Sequence, residues 1–207
     1  SANGKKDFWA RGDGWVLAGL AKVLKDLPKE FKHYDFFVDK YVRMAKAVAD
    51  IQQPGGYWTR SMMDPEHAPG PETSGTAFFT YGLSWGVNNG YLDEATYMPV
   101  IKKAWNYLKK TALQKDGRVG YVQPIGEKAI PGQIVDANST ANFGVGAFLL
   151  AACEYVRYLE APVNKDRAYW ANLLYNMAKP VLSNMAEGNL QKNMQVEVSP
   201  NWDGRDK

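Results

Sequence analysis

The sequence predicts an all-α protein made of helical hairpins, and two observations support this. Apolar residues recur at helical spacing in six segments, and no convincing sheet pattern accompanies them. In addition, two loops about 60 residues apart resemble each other, which indicates a repeated pair of helices.

The first three predicted helices are bounded by residues that end or cap helices. The first covers about residues 13–27, where apolar side chains share one face and Pro28 follows. The second covers about residues 34–52, with apolar positions alternating by four and three before Pro54. The third covers residues 73–88 and begins at a Thr-Ser pair suited to capping.

Three more helices follow. They are predicted over about residues 94–113, 141–159 and 166–185, the last with a kink at Pro180. Residues 195–207 are predicted as a short strand followed by a loose tail.

The loops after the second and fourth helices both run from a glutamine at the helix end to a Gly-Tyr pair, which is Gly56-Tyr57 in one and Gly120-Tyr121 in the other. Three hairpins do not close a ring, whereas the common toroid of carbohydrate enzymes contains six. We therefore expect about half of an (α/α)6 toroid. Such a half exposes apolar helix faces, so we expect it to depend on a missing N-terminal half or on a second copy of the chain.

Composition excludes several classes of protein. The net charge of +3 and the lack of long basic runs give no support for nucleic-acid binding, and no apolar run is long enough to span a membrane. The single cysteine, Cys153, cannot form an internal disulfide, which is compatible with a bacterial cytoplasm or periplasm. His33 and His67 lack the spacing of a metal site, so we expect neither a metal nor a cofactor.

The densest motif spans residues 8–15, just before the first predicted helix. Trp9 and Trp15 offer flat faces for stacking on a sugar ring, and Arg11 offers a planar fork that matches a carboxylate. Asp13 is suited to accept hydrogen bonds from sugar hydroxyls or to cap the helix. The alternative is a capped helix start with two core tryptophans.

A second candidate site lies where the third helix begins. Glu72, Thr73 and Ser74 are suited to bind hydroxyls, or simply to cap the helix. We also place Trp58, in the loop before them, among the candidate substrate-binding residues. Asp64 and Glu72 form a possible acid and base pair, although loop carboxylates are more often solvated.

Four blocks in this order resemble the unsaturated rhamnogalacturonyl hydrolases and the related unsaturated glucuronyl hydrolases, glycoside hydrolase families 105 and 88. The first reads Phe-Trp-Ala-Arg-Gly-Asp-Gly-Trp and resembles a Trp-x-Arg-Gly-Asn-Gly-Trp segment of these families. The four blocks cover residues 8–15, 72–90, 120–124 and 144–150.

This resemblance implies the C-terminal half of a six-hairpin toroid. It implies hydrolysis of a 4,5-unsaturated uronic acid from the non-reducing end of pectin-derived oligosaccharides, without a metal. In these families an aspartate protonates the vinyl ether, water adds at the neighbouring carbon, and the resulting hemiketal collapses. Arg11 would then hold the uronate carboxylate, and Trp9 and Trp15 would line the sugar subsite.

Two departures from the family pattern concern the acid. The family aspartate lies in the N-terminal half, so we expect no catalytic residue in this chain, with Asp13 as the one internal candidate. Asp13 stands where the families usually have asparagine, which makes it a candidate specificity residue.

Residues 1–162 are expected to form the half toroid. Residues 163–207 fit the family less well and are expected to form an extra helix and tail, or the start of a second α/α-toroid domain. The alternative function is a non-catalytic sugar-binding or structural toroid module. Another toroid enzyme, such as a polysaccharide lyase or a sugar epimerase, is disfavoured because the four blocks match in order.

Overall fold

The computed structural model describes residues 1–160 and Lys179, and it confirms the all-α prediction for that part of the chain. Within these residues there is no strand, only two isolated bridges. The predicted sixth helix and the tail lie outside the described residues. The five helices are α1 (Ala10–Asp26), α2 (Tyr34–Asp50), α3 (Thr73–Asn88), α4 (Glu94–Tyr107, continued by a π-helical turn at Leu108–Ala112) and α5 (Asn142–Glu160).

Helix α3 lies at the centre and packs most extensively against α5 and α1. Glycines allow this close approach, since a Cβ atom on Gly75 would lie 2.8 Å from the backbone carbon of Ala10. Further along, Gly82 faces Leu17 in the same way. Both pairs advance in the same chain direction, so α1 and α3 run parallel.

We call α1, α3 and α5 the inner helices. The outer helices α2 and α4 pack against them and link them in chain order. The Tyr41 hydroxyl on α2 donates to the Gly82 carbonyl of α3 at 2.7 Å. Trp105 on α4 stacks on Tyr155 of α5 with ring centroids 5.0 Å apart. The inner and outer helices alternate along the chain, as expected for an array of helical hairpins.

The inner helices begin at one end of the molecule. The Thr73 N–H at the start of α3 donates to the Tyr121 carbonyl at 2.8 Å, and Gly144 near the start of α5 lies against Val122. The Ala10 N–H at the start of α1 donates to the Arg60 carbonyl at 3.0 Å. The loops that carry the sequence motifs therefore meet at this end.

Helix α1 begins at Ala10, earlier than the sequence predicts. Trp9 is extended and forms an isolated antiparallel bridge with Ser61, which fixes the chain just before the helix. Because the helix starts here, Arg11 and Asp13 lie in its first turn and not in a preceding loop.

The two similar loops are confirmed, but in a different register. Gly56 and Gly117 have φ angles of 85° and 86°, in the left-handed region that favours glycine. A glutamine lies three residues before each of these glycines. The N–H of Gln53 donates to the Tyr57 carbonyl, and the N–H of Gln114 donates to the Arg118 carbonyl. Gly117 is therefore the structural counterpart of Gly56, in place of Gly120.

Candidate functional site

Arg11 is the centre of a buried network at the end where the inner helices begin. Its side chain is 2% exposed, and its two terminal nitrogens donate to the carbonyls of Gln123 at 2.5 Å and Pro124 at 2.8 Å. The guanidinium lies between two rings, 4.8 Å from the Trp9 centroid and 4.4 Å from the Phe143 centroid. Burial lowers the pKa of Arg11, and the Glu72 carboxylate opposes that shift.

Glu72 is a fully buried carboxylate that caps α3. Its Oε1 accepts from the Ser74 N–H at 3.2 Å, the Ser74 hydroxyl at 2.7 Å and the Gln123 N–H at 3.0 Å. Its Oε2 accepts from the Gly75 N–H at 2.7 Å. Thr73, also buried, shares a hydrogen bond with the Tyr107 hydroxyl at 2.7 Å. Glu72 therefore caps the helix, as the second of the two alternatives proposed. Glu72, Thr73 and Ser74 are all fully buried.

Gln123 connects the two sequence motifs. Its side-chain oxygen accepts from the Trp9 indole N–H at 2.8 Å, while its main-chain N–H donates to Glu72. Its side-chain nitrogen donates to the Lys128 carbonyl at 2.9 Å and to the Gln133 side chain at 3.1 Å. The motifs of residues 8–15 and 72–74 therefore meet through a residue of the third block, residues 120–124.

Arg60 is a second buried arginine at this end. Its terminal nitrogens donate to the Gln133 carbonyl at 2.8 Å and the Pro69 carbonyl at 3.0 Å. Burial lowers the pKa of Arg60, again opposed by Glu72. Because the segment around Gln133 has no regular structure, side-chain donors such as Arg60 satisfy its carbonyls.

Asp13 lies apart from this network, on a cavity of about 180 Å³ between α1 and α2. The cavity walls are apolar and include Met44, Ile51 and Met62. Among the atoms that the structure describes, the buried Oδ2 of Asp13 has no hydrogen-bond partner. Burial accordingly raises the pKa of this carboxyl.

The remaining candidates separate into exposed and buried residues. Trp15 is 51% exposed and forms a T-shaped contact with Phe78, so about half of its surface is open to solvent. Trp58 is 0% exposed, packs on Phe79 and donates its indole N–H to the Val48 carbonyl at 2.9 Å. Trp58 is a core residue that offers no surface to a sugar, contrary to its place among the candidate binding residues.

Asp64 and Glu72, the possible acid and base pair, each bond to other residues of the chain. Asp64 accepts from the Asn3 amide at 2.9 and 3.2 Å and lies 3.6 Å from the Lys5 ammonium. Each carboxylate is thus engaged by its own set of donors.

The sequence interpretation included Gln123 in one of its four blocks without giving it a role of its own, and it missed Arg60. Gln123 lay inside a quoted block, Gly-Tyr-Val-Gln-Pro, and its position beside a proline in a long loop was the available signal. Arg60 follows Trp58 and Thr59 with no motif around it, so only the fold identifies it.

Within residues 1–160, no group of three or more metal-ligating side chains comes together. None of the helices in residues 1–160 is long and apolar enough to cross a lipid bilayer.

A parallel row of inner helices, with motif-bearing loops at one end, is the arrangement expected of part of an α/α toroid. Residues 1–159 match Glycosyl Hydrolase Family 88, and the chain belongs to that family.

Two curated relatives carry the name unsaturated 3S-rhamnoglycuronyl hydrolase. The protein from Formosa agariphila is 45% identical over 158 residues, which is 76% of this chain and 41% of the relative. The protein from Alteromonas sp. is 40% identical over 154 residues, which is 74% of this chain and 36% of the relative. The chain therefore spans about two fifths of the length of these relatives.

Solved structures support the fold. A glycosyl hydrolase family 88 protein from Bacteroides vulgatus is 67% identical, with a TM-score of 0.73 over 75% of this chain and 45% of its own. A possible family 105 member from Salmonella enterica is 24% identical, with a TM-score of 0.64 over 73% of this chain and 40% of its own, and shows the fold alone. The predicted family resemblance and the predicted all-α toroid fold are both confirmed.

Proposed function

We propose that the protein containing this chain hydrolyses a 4,5-unsaturated uronyl residue from the non-reducing end of a short oligosaccharide in which the next sugar is rhamnose. The observation that carries the proposal is the 45% identity to a relative named for rhamnoglycuronyl hydrolysis, over a stretch of 158 residues. Pectin-derived rhamnogalacturonan fragments are one such substrate class, and rhamnoglycuronyl fragments are the other.

This chain would supply substrate-binding surface. Trp15 is half-exposed, and an exposed indole suits stacking on the apolar face of a sugar ring. Trp9 and Arg11, in the same sequence motif, are both bonded to Gln123. The geometry favours a bracing role for Arg11 over a direct grip on the uronate, because its terminal nitrogens already donate to two carbonyls.

The reaction would begin when a carboxylic acid protonates C4 of the vinyl ether. Water then adds at C5, and the hemiketal that results opens with loss of the aglycone sugar. Glu72 is unsuited to give the proton, because its oxygens accept four hydrogen bonds in a buried cap. We propose that the acid lies outside these residues, in an N-terminal half or a second copy, with Asp13 as the internal alternative.

The test compares two unsaturated disaccharides, one with uronate linked to rhamnose and one with uronate linked to an N-acetylhexosamine. Turnover is followed as loss of the ultraviolet absorbance of the conjugated acid. The 207-residue chain is assayed alone and in a form extended at its N-terminus to the length of the relatives. We expect turnover of the rhamnose disaccharide by the extended form and none by the 207-residue chain.

The other outcomes identify what is wrong. Turnover by the 207-residue chain that Asp13→Asn abolishes would place the acid inside it. Binding of the disaccharide without turnover by either form would favour the alternative, a non-catalytic sugar-binding module.

A further inference from the structure

Isoleucine is distributed unevenly in this protein. The chain has five isoleucines, of which Ile51 and Ile101 pack in or against the core. The other three, Ile125, Ile130 and Ile134, lie in one loop of residues 124–135, which we name the isoleucine loop. There Ile125 is 81% exposed, Ile134 is 79% exposed and Ile130 is 39% exposed. Exposed aliphatic side chains that share one loop can cover the apolar part of a ligand.

The backbone beneath these side chains is fixed by buried donors. Arg60 holds the Gln133 carbonyl, and Gln123 holds the Lys128 carbonyl and the Gln133 side chain. Between them Ala129 is 2% exposed and anchors the middle of the loop. Ile125 and Ile134 are therefore presented to solvent by a braced segment.

The isoleucine loop is continuous with the candidate sugar site. Arg11 donates to the carbonyls of Gln123 and Pro124, where the loop begins. The Trp9 indole donates to the side chain of Gln123. An oligosaccharide bound beside Trp9 would lie at the base of this loop.

We propose that Ile125 and Ile134 form the contact surface for the methyl group of a 6-deoxyhexose, the sugar that follows the unsaturated uronyl residue. This inference rests on the proposed function for the identity of that sugar. A 6-deoxyhexose carries a methyl group where an ordinary hexose carries a hydroxymethyl group. An exposed aliphatic side chain gains by covering the methyl group, but it would strip water from the hydroxyl of the hydroxymethyl group.

The experiment uses the isoleucine methyl NMR signals of the N-terminally extended form, in which the five isoleucines of this chain are assigned by single Ile→Val substitutions. Methyl α-L-rhamnopyranoside is titrated into the protein, and methyl α-L-mannopyranoside, which differs only by the 6-hydroxyl, is the matched probe. We expect the Ile125 and Ile134 signals to shift with the rhamnoside, with the buried Ile101 signal unmoved. Burial of one methyl group corresponds to about a four-fold preference over the mannoside.

A double variant, Ile125→Thr with Ile134→Thr, provides the second measurement. Both positions are exposed, so the variant is expected to fold, and it should lose the preference between the two sugars. The control variant is Val23→Thr, at an exposed apolar position nearer the other end of α1, which should keep the preference.

Three results would overturn the inference: equal shifts with both sugars, no shift at Ile125 or Ile134, or shifts that follow protein concentration without sugar. The last would assign the loop to contact between copies. These results are independent of catalysis. An extended form that shows these shifts but cleaves no unsaturated disaccharide contradicts the proposed function alone, and one that cleaves it without the shifts contradicts this inference alone.

Discussion

The guanidinium of Arg11 lies over the indole of Trp9, 4.8 Å from the ring centroid, and both side chains reach the same residue, Gln123. Arg11 bonds the main-chain carbonyl of Gln123, whereas Trp9 bonds its side-chain oxygen. The first turn of α1 is thereby locked to the loop that precedes α5. Removing either contact should destabilise the packing of residues 123 and 124 against α1 before it destabilises the helices themselves.

The substitution Arg11→Lys tests the bracing role. Lysine keeps the charge but lacks the planar fork, so it cannot donate to the Gln123 and Pro124 carbonyls in the same way. We expect the free energy of unfolding to fall by about 2 kcal/mol, because a buried carbonyl loses its donor. Urea denaturation of the 207-residue chain measures this.

Arg43→Lys is the matched control, because Arg43 is a solvent-exposed arginine whose contact is a surface pair with Asp39. Its effect should stay within about 0.5 kcal/mol. If Arg11→Lys leaves stability unchanged but raises the KM of the active protein for an unsaturated uronide, then Arg11 holds the uronate directly and the bracing role is wrong.

The helices could be predicted from the sequence because their signals are local. Apolar periodicity and the stop at Pro28 place the first helix within three residues of its observed start and one of its end. The earlier start at Ala10 could not be predicted, because it depends on the bridge between Trp9 and Ser61, which are distant in sequence. The loop repeat shows the same limit, since only backbone geometry pairs Gly56 with Gly117.

The candidate site was partly predictable, because residue type and spacing are local signals too. Trp9, Arg11 and Glu72 were singled out by residue type and spacing, and the structure brings them to one end. Their partners could not be read from the sequence, since Gln123 lies more than 100 residues from Arg11 along the chain. Trp58 shows the converse, because residue type alone does not distinguish a stacking tryptophan from a core one.

Glu72→Gln tests the buried cap of α3. A glutamine side chain has one acceptor oxygen and an amino group, and the latter would face either the Gly75 N–H or the donors on Oε1. We expect a loss of about 2–3 kcal/mol in the free energy of unfolding. The control is Asp93→Asn, at the exposed N-cap of α4, where the loss should be about 1 kcal/mol or less. Equal losses would show that the buried network adds nothing to the cap.

Asp13→Asn tests the unpaired carboxyl and predicts a pH dependence. Burial raises the pKa of Asp13, so between its ordinary value and the raised one the folded state binds more protons than the unfolded state. Stability therefore falls as pH rises through that window and stays lower above it. We expect the asparagine variant to be more stable than wild type at neutral pH, by about 1 kcal/mol.

That gain should disappear below the ordinary pKa of aspartate, where the wild-type carboxyl is protonated in both states. Thermal melts of both proteins across this pH range measure the difference. The exposed Asp93, whose pKa its hydrogen bonds to Thr96 lower, is the opposite case: its contribution is present above the unfolded pKa and lost as pH falls through the folded one. A gain for Asp13→Asn that does not change with pH would contradict an electrostatic origin.

Arg60→Met tests whether the isoleucine loop is braced from below. Methionine fills a similar volume but leaves the Gln133 and Pro69 carbonyls without their donor. Lys128 is an exposed trypsin site in this loop, and its cleavage requires the loop to open locally. We expect cleavage after Lys128 to become about ten-fold faster, since the lost contacts are worth roughly 1.5 kcal/mol.

The control Arg43→Met should cleave there at the wild-type rate. If Arg60→Met speeds cleavage at every site equally, then Arg60 stabilises the whole fold and the isoleucine loop owes its position to other contacts.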